Sequence, residues 1–221
     1  MKNSRQVRWG MLAHANVEML KKYIVVAGNI GVGKSSLVDF LCKTYGLKPF
    51  FEPNDLNPYL DNFYKDMKTW AFHSQIHFLS HKFRIHQLLA RETQPVLQDR
   101  SIYEDAEIFA TNLYRQKILS KRDYETYYEL YQTILKSLQP PDLMIYLNCS
   151  VRTIKQRIKQ RGRKSEQAIP TGYLTRLSHL YENWIKGYRL SPVVTISTEK
   201  LDYLTDLVDR IDLLETIEEY I

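Results

Sequence analysis

The sequence predicts an α/β fold, a five-stranded parallel sheet with helices on both faces. Short apolar runs alternate with helical patterns from Tyr23 onward, the order that builds parallel strands through crossover helices. The stretch Gly28-Asn29-Ile30-Gly31-Val32-Gly33-Lys34-Ser35 matches G-x-x-x-x-G-K-[ST] and stands between a strand and a helix. The 221 residues, 44% hydrophobic and 25% charged, suffice for one sizeable core, and no apolar run approaches the ~20 residues of a membrane span.

Residues 1–22 are basic and read as an N-terminal extension, with the domain proper over 23–221. An organelle-targeting segment was weighed for the extension, but it holds one serine and no clear amphipathic stripe. A plain extension, or a true start at Met11 or Met19, fits better. Tyr23–Ala27 is mostly β-branched and reads as a buried strand. Ser36–Tyr45 is helical, with Leu37, Phe40 and Leu41 on one face. Between them the glycines let backbone N–H groups turn in around an anion, and the helix aims its positive end at the same point. Lys34 is placed for the β- and γ-phosphates of a nucleoside triphosphate and Ser35 for Mg²⁺.

Lys48–Glu52 reads as a second strand that Pro53 stops. Glu52 then faces the ligand crevice of an open sheet and is a candidate general base. Asn57–Met67 and Ala71–Arg91 are helical. On the second, Gln75 and Lys82 lie two turns apart and share a face. His73, His77 and His81 also fall on one stripe, but no acid or cysteine joins them, so a polar stripe is favoured over a metal site. Pro95–Ser101 is a third strand, ending in Asp99, a Mg²⁺ carboxylate by position, and Arg100, a cation for developing phosphoryl charge.

Helices follow over Ile102–Tyr114 and Lys121–Leu138, the latter carrying Tyr124, Tyr127, Tyr128 and Tyr131 as core or subunit contact. Pro140 and Pro141 end it, and Asp142–Leu147 is the fourth strand. Val151–Arg161 runs into Gly162-Arg163-Lys164, and Arg152 to Lys164 holds seven basic residues and no acid. With a phosphate loop present, Arg157, Arg161 and Arg163 read as an arginine lid over a triphosphate rather than as a solvated face. A helix over Thr171–Gly187, a strand over Ser191–Ile196 and a helix over Tyr203–Tyr220 complete the chain.

The formal charge of +6 suits a site for a polyanionic nucleotide. The two cysteines, Cys42 and Cys149, give no disulfide or metal framework and fit a reducing compartment. The basic run lacks the interleaved aromatics of single-strand nucleic-acid binders.

Several spaced motifs together resemble the deoxyribonucleoside kinase family, which includes deoxycytidine, deoxyguanosine and bacterial deoxyadenosine kinases. They are GNIGVGKSS at 28–36, EP at 52–53, WAFHSQ at 70–75, DRSIYED at 99–105, PDLMIYL at 141–147 and RIKQRGRKSEQ at 157–167. The resemblance implies a P-loop NTPase-like fold and ATP- and Mg²⁺-dependent phosphorylation of a deoxynucleoside 5′-hydroxyl. It implies that Gly28 to Ser36 cradle the ATP phosphates, with Arg157, Arg161 and Arg163 closing over them. It implies that Glu52 takes the 5′-hydroxyl proton, with Arg100 beside it and Lys34 on the phosphates. Tyr64 and Glu166 would hold the 3′-hydroxyl, Gln75 and Asp105 the base edge, Phe109 would stack on the base and Trp70 would wall the pocket. Ser35 and Asp99 would serve Mg²⁺.

Three positions depart from the common pattern: Asp99 where many members have Glu, Lys82 where many have Arg, and Ala106 where animal members have Arg. Lys82 is expected to reach Asp105, and Ala106 to leave a roomier floor, so deoxyadenosine is favoured, with deoxycytidine and deoxyguanosine behind it. A cytoplasmic homodimer is expected, with neither nucleic acid nor membrane as partner. Thymidylate kinase is the alternative enzyme, and a GTP-binding switch lacks its N-K-x-D and D-x-x-G motifs.

Overall fold

The computed structural model describes residues 23–51 and 57–220. The expectations for residues 1–22 and for Glu52 lie outside them.

Five strands form one parallel sheet: β1 (Tyr23–Gly28), β2 (Lys48–Phe50), β3 (Val96–Asp99), β4 (Leu143–Asn148) and β5 (Val193–Ser197), in spatial order β2-β3-β1-β4-β5. The helices are α1 (Lys34–Tyr45), α2 (Leu60–Lys65), α3 (Met67–Leu89), α4 (Ile102–Glu104), α5 (Thr111–Arg115), α6 (Lys121–Leu135), α7 (Val151–Arg161), α8 (Lys164–Gln167), α9 (Thr171–Gly187) and α10 (Leu207–Glu218). Between α4 and α5 the chain widens into a π-helical segment, Asp105–Ala110. The Thr111 hydroxyl donates to the Ala106 carbonyl five residues back, at 2.9 Å, and so satisfies one acceptor there.

β1 is buried on both faces, as a central parallel strand must be. Ile24 and Val26 meet Leu37 and Leu41 of α1 and Leu213 and Ile217 of α10 on one face. Tyr23, Val25 and Ala27 meet Ile85 and Leu89 of α3 on the other. A third cluster lies among the helices, where Tyr127 and Tyr131 of α6 pack with Leu79, Ile108, Leu113 and Leu177. Each fully buried large side chain contributes ~1.5–3 kcal/mol, so the tyrosine-rich stripe is core. Tyr124, nearer the surface, stacks on Tyr114 with ring centroids 4.3 Å apart.

α2 ends at Lys65 and α3 begins at Met67 because Asp66 caps the new helix, its carboxylate accepting from Thr69 N at 3.3 Å. α3 therefore starts four residues before the expected Ala71. His77 and His81 stack at 6.3 Å on its outer face. Among the described residues no three His, Cys, Asp or Glu side chains are grouped to hold a metal ion, and no helix is long and apolar enough to cross a membrane.

All five strands run the same way, so their C-terminal ends share one edge. The order reverses at β1, whose neighbours are β3 and β4. A crevice forms at such a reversal, and the residues leaving β1 and β3 line it.

Candidate active site

The phosphate loop leaves β1 at Gly28, whose φ of 144° only glycine holds without strain. A Cβ there would lie 2.5 Å from the Leu147 carbonyl oxygen on the paired strand. Gly33, at φ 108°, caps α1 with no side-chain hydrogen bond, so the first N–H groups of α1 are left to an anion. Asn29 pins the loop from behind, donating to the Leu174 carbonyl at 2.9 Å and to Ser178 Oγ at 2.8 Å. Lys34 Nζ donates to the carbonyls of Gly28 at 2.9 Å and Asn29 at 3.0 Å, and so lies across the loop.

β3 delivers the second set of groups. Asp99 pairs with Val26 in register, and Ser35 Oγ donates to Asp99 Oδ2 at 2.5 Å. Asp99 Oδ1 is buried with no hydrogen-bond partner among the described residues. Two oxygens from two elements thus stand together beside a phosphate loop, the hard donor set that suits Mg²⁺. Arg100 follows with φ 62°, a left-handed conformation uncommon for a non-glycine residue. Its guanidinium lies 4.4 Å from the centre of the Phe109 ring. Lys82, 1% exposed, donates to the Arg100 carbonyl at 2.6 Å and to the Asp99 carbonyl at 3.4 Å.

Two cavities open from this edge. The first brings together Ile30, Gly31, Lys34, Ser35, Tyr64, Gln75, Asp99, Arg100, Asp105, Phe109, Arg161, Arg163 and Glu166, thirteen of the residues singled out from the sequence. Arg161 is hydrogen-bonded to Glu166, and Arg163 lies 3.4 Å from the same carboxylate. Trp70 and Lys82 do not line it. Trp70 stacks on Tyr59 further out, at 5.8 Å, while Lys82 lies beneath, on the two β3-end carbonyls. The second cavity runs from Gly31 to Leu37 along the loop and reaches Arg157, Arg161, Thr198 and Asp202 to Leu204. It shares Gly31, Lys34, Ser35 and Arg161 with the first, so the two meet at the loop.

Arg157 braces the loop. Its guanidinium donates to the Val32 carbonyl at 3.1 Å, to Thr198 Oγ1 at 2.9 Å and to the Thr198 carbonyl at 2.6 Å. The partner residue lies on the far side of β5, so helix spacing alone groups Arg157 with Arg161 and misses this bracing.

Sequence reasoning also missed Leu60, Phe63, Phe78 and Tyr173 in the first cavity. Burial pushes the Tyr173 phenol up to about 12, so it stays neutral. Glu104 was missed as well. It is fully buried and accepts from Gly28 N, Ser101 N, Ser101 Oγ and Tyr181 Oη. Burial raises its carboxyl pKa, against the opposing pull of the Arg100 and Lys34 cations. The pattern Ser101-x-x-Glu104, a capping box at the start of α4, was the available signal.

Gln75 Oε1 is buried in the first cavity with no hydrogen-bond partner among the described residues. An orphaned buried acceptor costs about 1–3 kcal/mol until a ligand supplies the donor. Gln75→Leu is therefore expected to leave the ligand-free Tm unchanged or raised, and to abolish the rise in Tm expected for the parent chain with deoxyadenosine. Thermal unfolding with and without the nucleoside measures both. A lower ligand-free Tm with the deoxyadenosine shift intact contradicts this account of Gln75.

The comparisons with known proteins agree with this geometry. A family model described as deoxynucleoside kinase matches residues 24–221. The deoxyadenosine/deoxycytidine kinase of Bacillus subtilis (strain 168) is 40% identical over 185 residues, covering 83% of this chain and 85% of that protein. The deoxyguanosine kinase of Lactobacillus johnsonii is 39% identical over 203 residues, covering 88% of this chain and 90% of that protein. Among solved structures, deoxyadenosine kinase from M. mycoides with bound dATP superposes with a TM-score of 0.78 at 30% identity, covering 87% of this chain and 99% of that one. With its phosphate loop, its two cavities meeting at Lys34 and Ser35, and a matching model over nearly its whole length, the chain belongs to the deoxynucleoside kinase family.

Proposed function

We propose that the chain transfers the γ-phosphoryl group of ATP to the 5′-hydroxyl of a deoxynucleoside, with deoxyadenosine the preferred acceptor. The observation that carries this reading is the pair of cavities sharing Lys34 and Ser35 at the loop. The donor lies along the second cavity with its phosphates on Gly28 to Ser36, and the acceptor fills the first. The transfer needs positioning and charge neutralisation more than covalent help from the protein.

Each group then has a task. Lys34, Arg161 and Arg163 neutralise charge on the transferred phosphoryl group, and Arg157 holds the loop that binds it. Arg100 stands at the 5′-oxygen, and Glu52 accepts its proton. Ser35 Oγ and Asp99 would hold Mg²⁺, which supplies charge neutralisation on the phosphates when bound; the unpartnered Asp99 Oδ1 suits that ligand. Tyr64 and Glu166 hold the 3′-hydroxyl, Phe109 stacks on the base, and Trp70 closes the outer wall through Tyr59. A thymidylate acceptor is disfavoured. Gln75 and the Tyr64–Glu166 pair in the first cavity suit a neutral nucleoside.

The base edge meets Gln75 and Asp105. Gln75 offers a donor and an acceptor, so it suits several bases. A carboxylate at Asp105 would accept from an exocyclic amine and not from the 4-oxo group of thymine, which favours amine-bearing bases over thymine. Lys82 donates to the Asp99 and Arg100 carbonyls and so supports the pocket floor at the end of β3. Ala106, fully buried, takes up little volume and so leaves the floor roomier.

A cytoplasmic homodimer over residues 23–221, with 1–22 as an extension, belongs to the same reading. It is supported by the family, by two free cysteines and by the exposed Leu88 and Leu130 on helices beside the sheet.

Two outcomes test the reading. Glu52→Gln is expected to lower kcat by about 10²–10⁴-fold with little change in nucleoside affinity; near-normal turnover removes Glu52 from the chemistry. In relative kcat/KM at saturating MgATP, deoxyadenosine is expected first and thymidine last of the four deoxynucleosides. Thymidine on top contradicts the Asp105 argument. Deoxycytidine ahead by more than about tenfold, ~1.4 kcal/mol, contradicts the argument from floor size.

A further inference from the structure

We infer that Glu104 is a positioning residue for phosphoryl transfer, fixing Arg100 against the first glycine of the phosphate loop. The inference rests on the reading that Arg100 acts at the reacting oxygen.

Glu104 is 0% exposed, and each of its carboxylate oxygens is held from two sides. Oε1 accepts from Gly28 N at 3.2 Å and from Tyr181 Oη at 2.8 Å. Oε2 accepts from Ser101 N at 2.8 Å and from Ser101 Oγ at 3.3 Å. Arg100 Nε lies 3.9 Å from Oε1. One carboxylate therefore touches the end of β1, the residue after Arg100, the guanidinium of Arg100 and a buried tyrosine of α9. Tyr181 is itself immobilised by stacking on Tyr146 of β4, at 6.0 Å.

A helix-capping glutamate at the surface would need only the Ser101 contacts. The Gly28 contact crosses from α4 to the end of β1 and ties the acceptor half of the site to the donor half. The arrangement bears on Arg100 in particular because its backbone is left-handed, φ 62°, and such a conformation persists only where surrounding contacts hold it. Lys82 holds its carbonyl at 2.6 Å, Arg100 Nη2 donates to the Gly28 carbonyl at 3.4 Å, and Glu104 faces Arg100 Nε at 3.9 Å, an ion-pair distance.

All four hydrogen bonds at Glu104 come from donors, so only an acceptor-only group fits. Glutamine has the same shape, but either orientation of its amide turns an NH₂ group against a backbone N–H, that of Gly28 or that of Ser101, which cannot accept. Arg100 or Gly28 must then shift. Binding of either substrate is spread over many contacts, whereas transfer depends on alignment at one oxygen, so the loss falls on turnover.

The test compares Glu104→Gln, Tyr181→Phe, Arg100→Ala and the double variant Glu104→Gln/Arg100→Ala in the full chain, with circular dichroism confirming the folded state at the assay temperature. Expected are a kcat at least about tenfold lower in Glu104→Gln, with KM for deoxyadenosine and MgATP within about threefold of the parent. Tyr181→Phe, which removes one donor and leaves the fold intact, is expected to lower kcat about threefold in the same pattern. In the Arg100→Ala background Glu104→Gln is expected to cost nothing more, since it acts through Arg100. A merely structural glutamate would lower Tm while leaving kcat and KM unchanged, and would be additive with Arg100→Ala; either result overturns the inference. If Glu104→Gln does not fold, an unchanged kcat in Tyr181→Phe overturns it. Normal turnover in Arg100→Ala overturns instead the reading beneath it.

Discussion

Everything at this site depends on the parallel pairing of β1 with β3. Because Val26 stands opposite Asp99, the chain leaves both strands at the same level. The phosphate loop departs from one and Asp99-Arg100 from the other, so Ser35 and Asp99 meet at 2.5 Å without either element bending to reach it. A shift of one residue in this register would send Asp99 and every alternate side chain of β3 to the opposite face. The buried apolar faces of β1, with α1 and α10 on one side and α3 on the other, forbid that shift. The catalytic geometry is thus inherited from core packing, and the loops carry only what the strands have already aligned.

The charges follow the same division. Lys34, Arg100, Arg161 and Arg163 gather around the point where the cavities meet, and the carboxylates of Asp99, Asp105 and Glu166 balance them. Glu166 already engages both Arg161 and Arg163, so α8 is joined to the end of α7 before any substrate arrives. A cavity so balanced favours a neutral acceptor on one side and concentrates free positive potential on the phosphate side.

Much of this was legible in the sequence because the informative patterns are local. The β-branched run of β1, the glycine spacing of the loop and the helix over Val151–Arg161 need only near neighbours, and they match the structure. The misreadings have a different origin. The π-helical segment at Asp105–Ala110 hides within an ordinary helical pattern, since one extra residue per turn leaves no mark in composition. The start of α3 at Met67 was available in Asp66 and Thr69 but was outweighed by the apolar run that follows. Arg157 could not be assigned to Val32 and Thr198 without knowing that β5 lies beside β4. The contacts of Lys82 with the carbonyl oxygens at the end of β3 were hidden too, since helix spacing places it only on the face of Gln75. Glu104 was hidden because a capping box is ordinarily a surface feature, and nothing local says that this one is buried.

The most direct test of the two-cavity account is the binding and complex structure of a bisubstrate analogue, deoxyadenosine joined through its 5′-oxygen to adenosine by a chain of phosphates. One molecule per chain is predicted to fill both cavities, with the deoxyadenosine base at Gln75 and Asp105 and the phosphates on Gly28 to Ser36. Its affinity should exceed that of deoxyadenosine or ATP alone. An analogue that binds no more tightly than ATP, with its deoxyadenosine end outside the first cavity, would contradict the account.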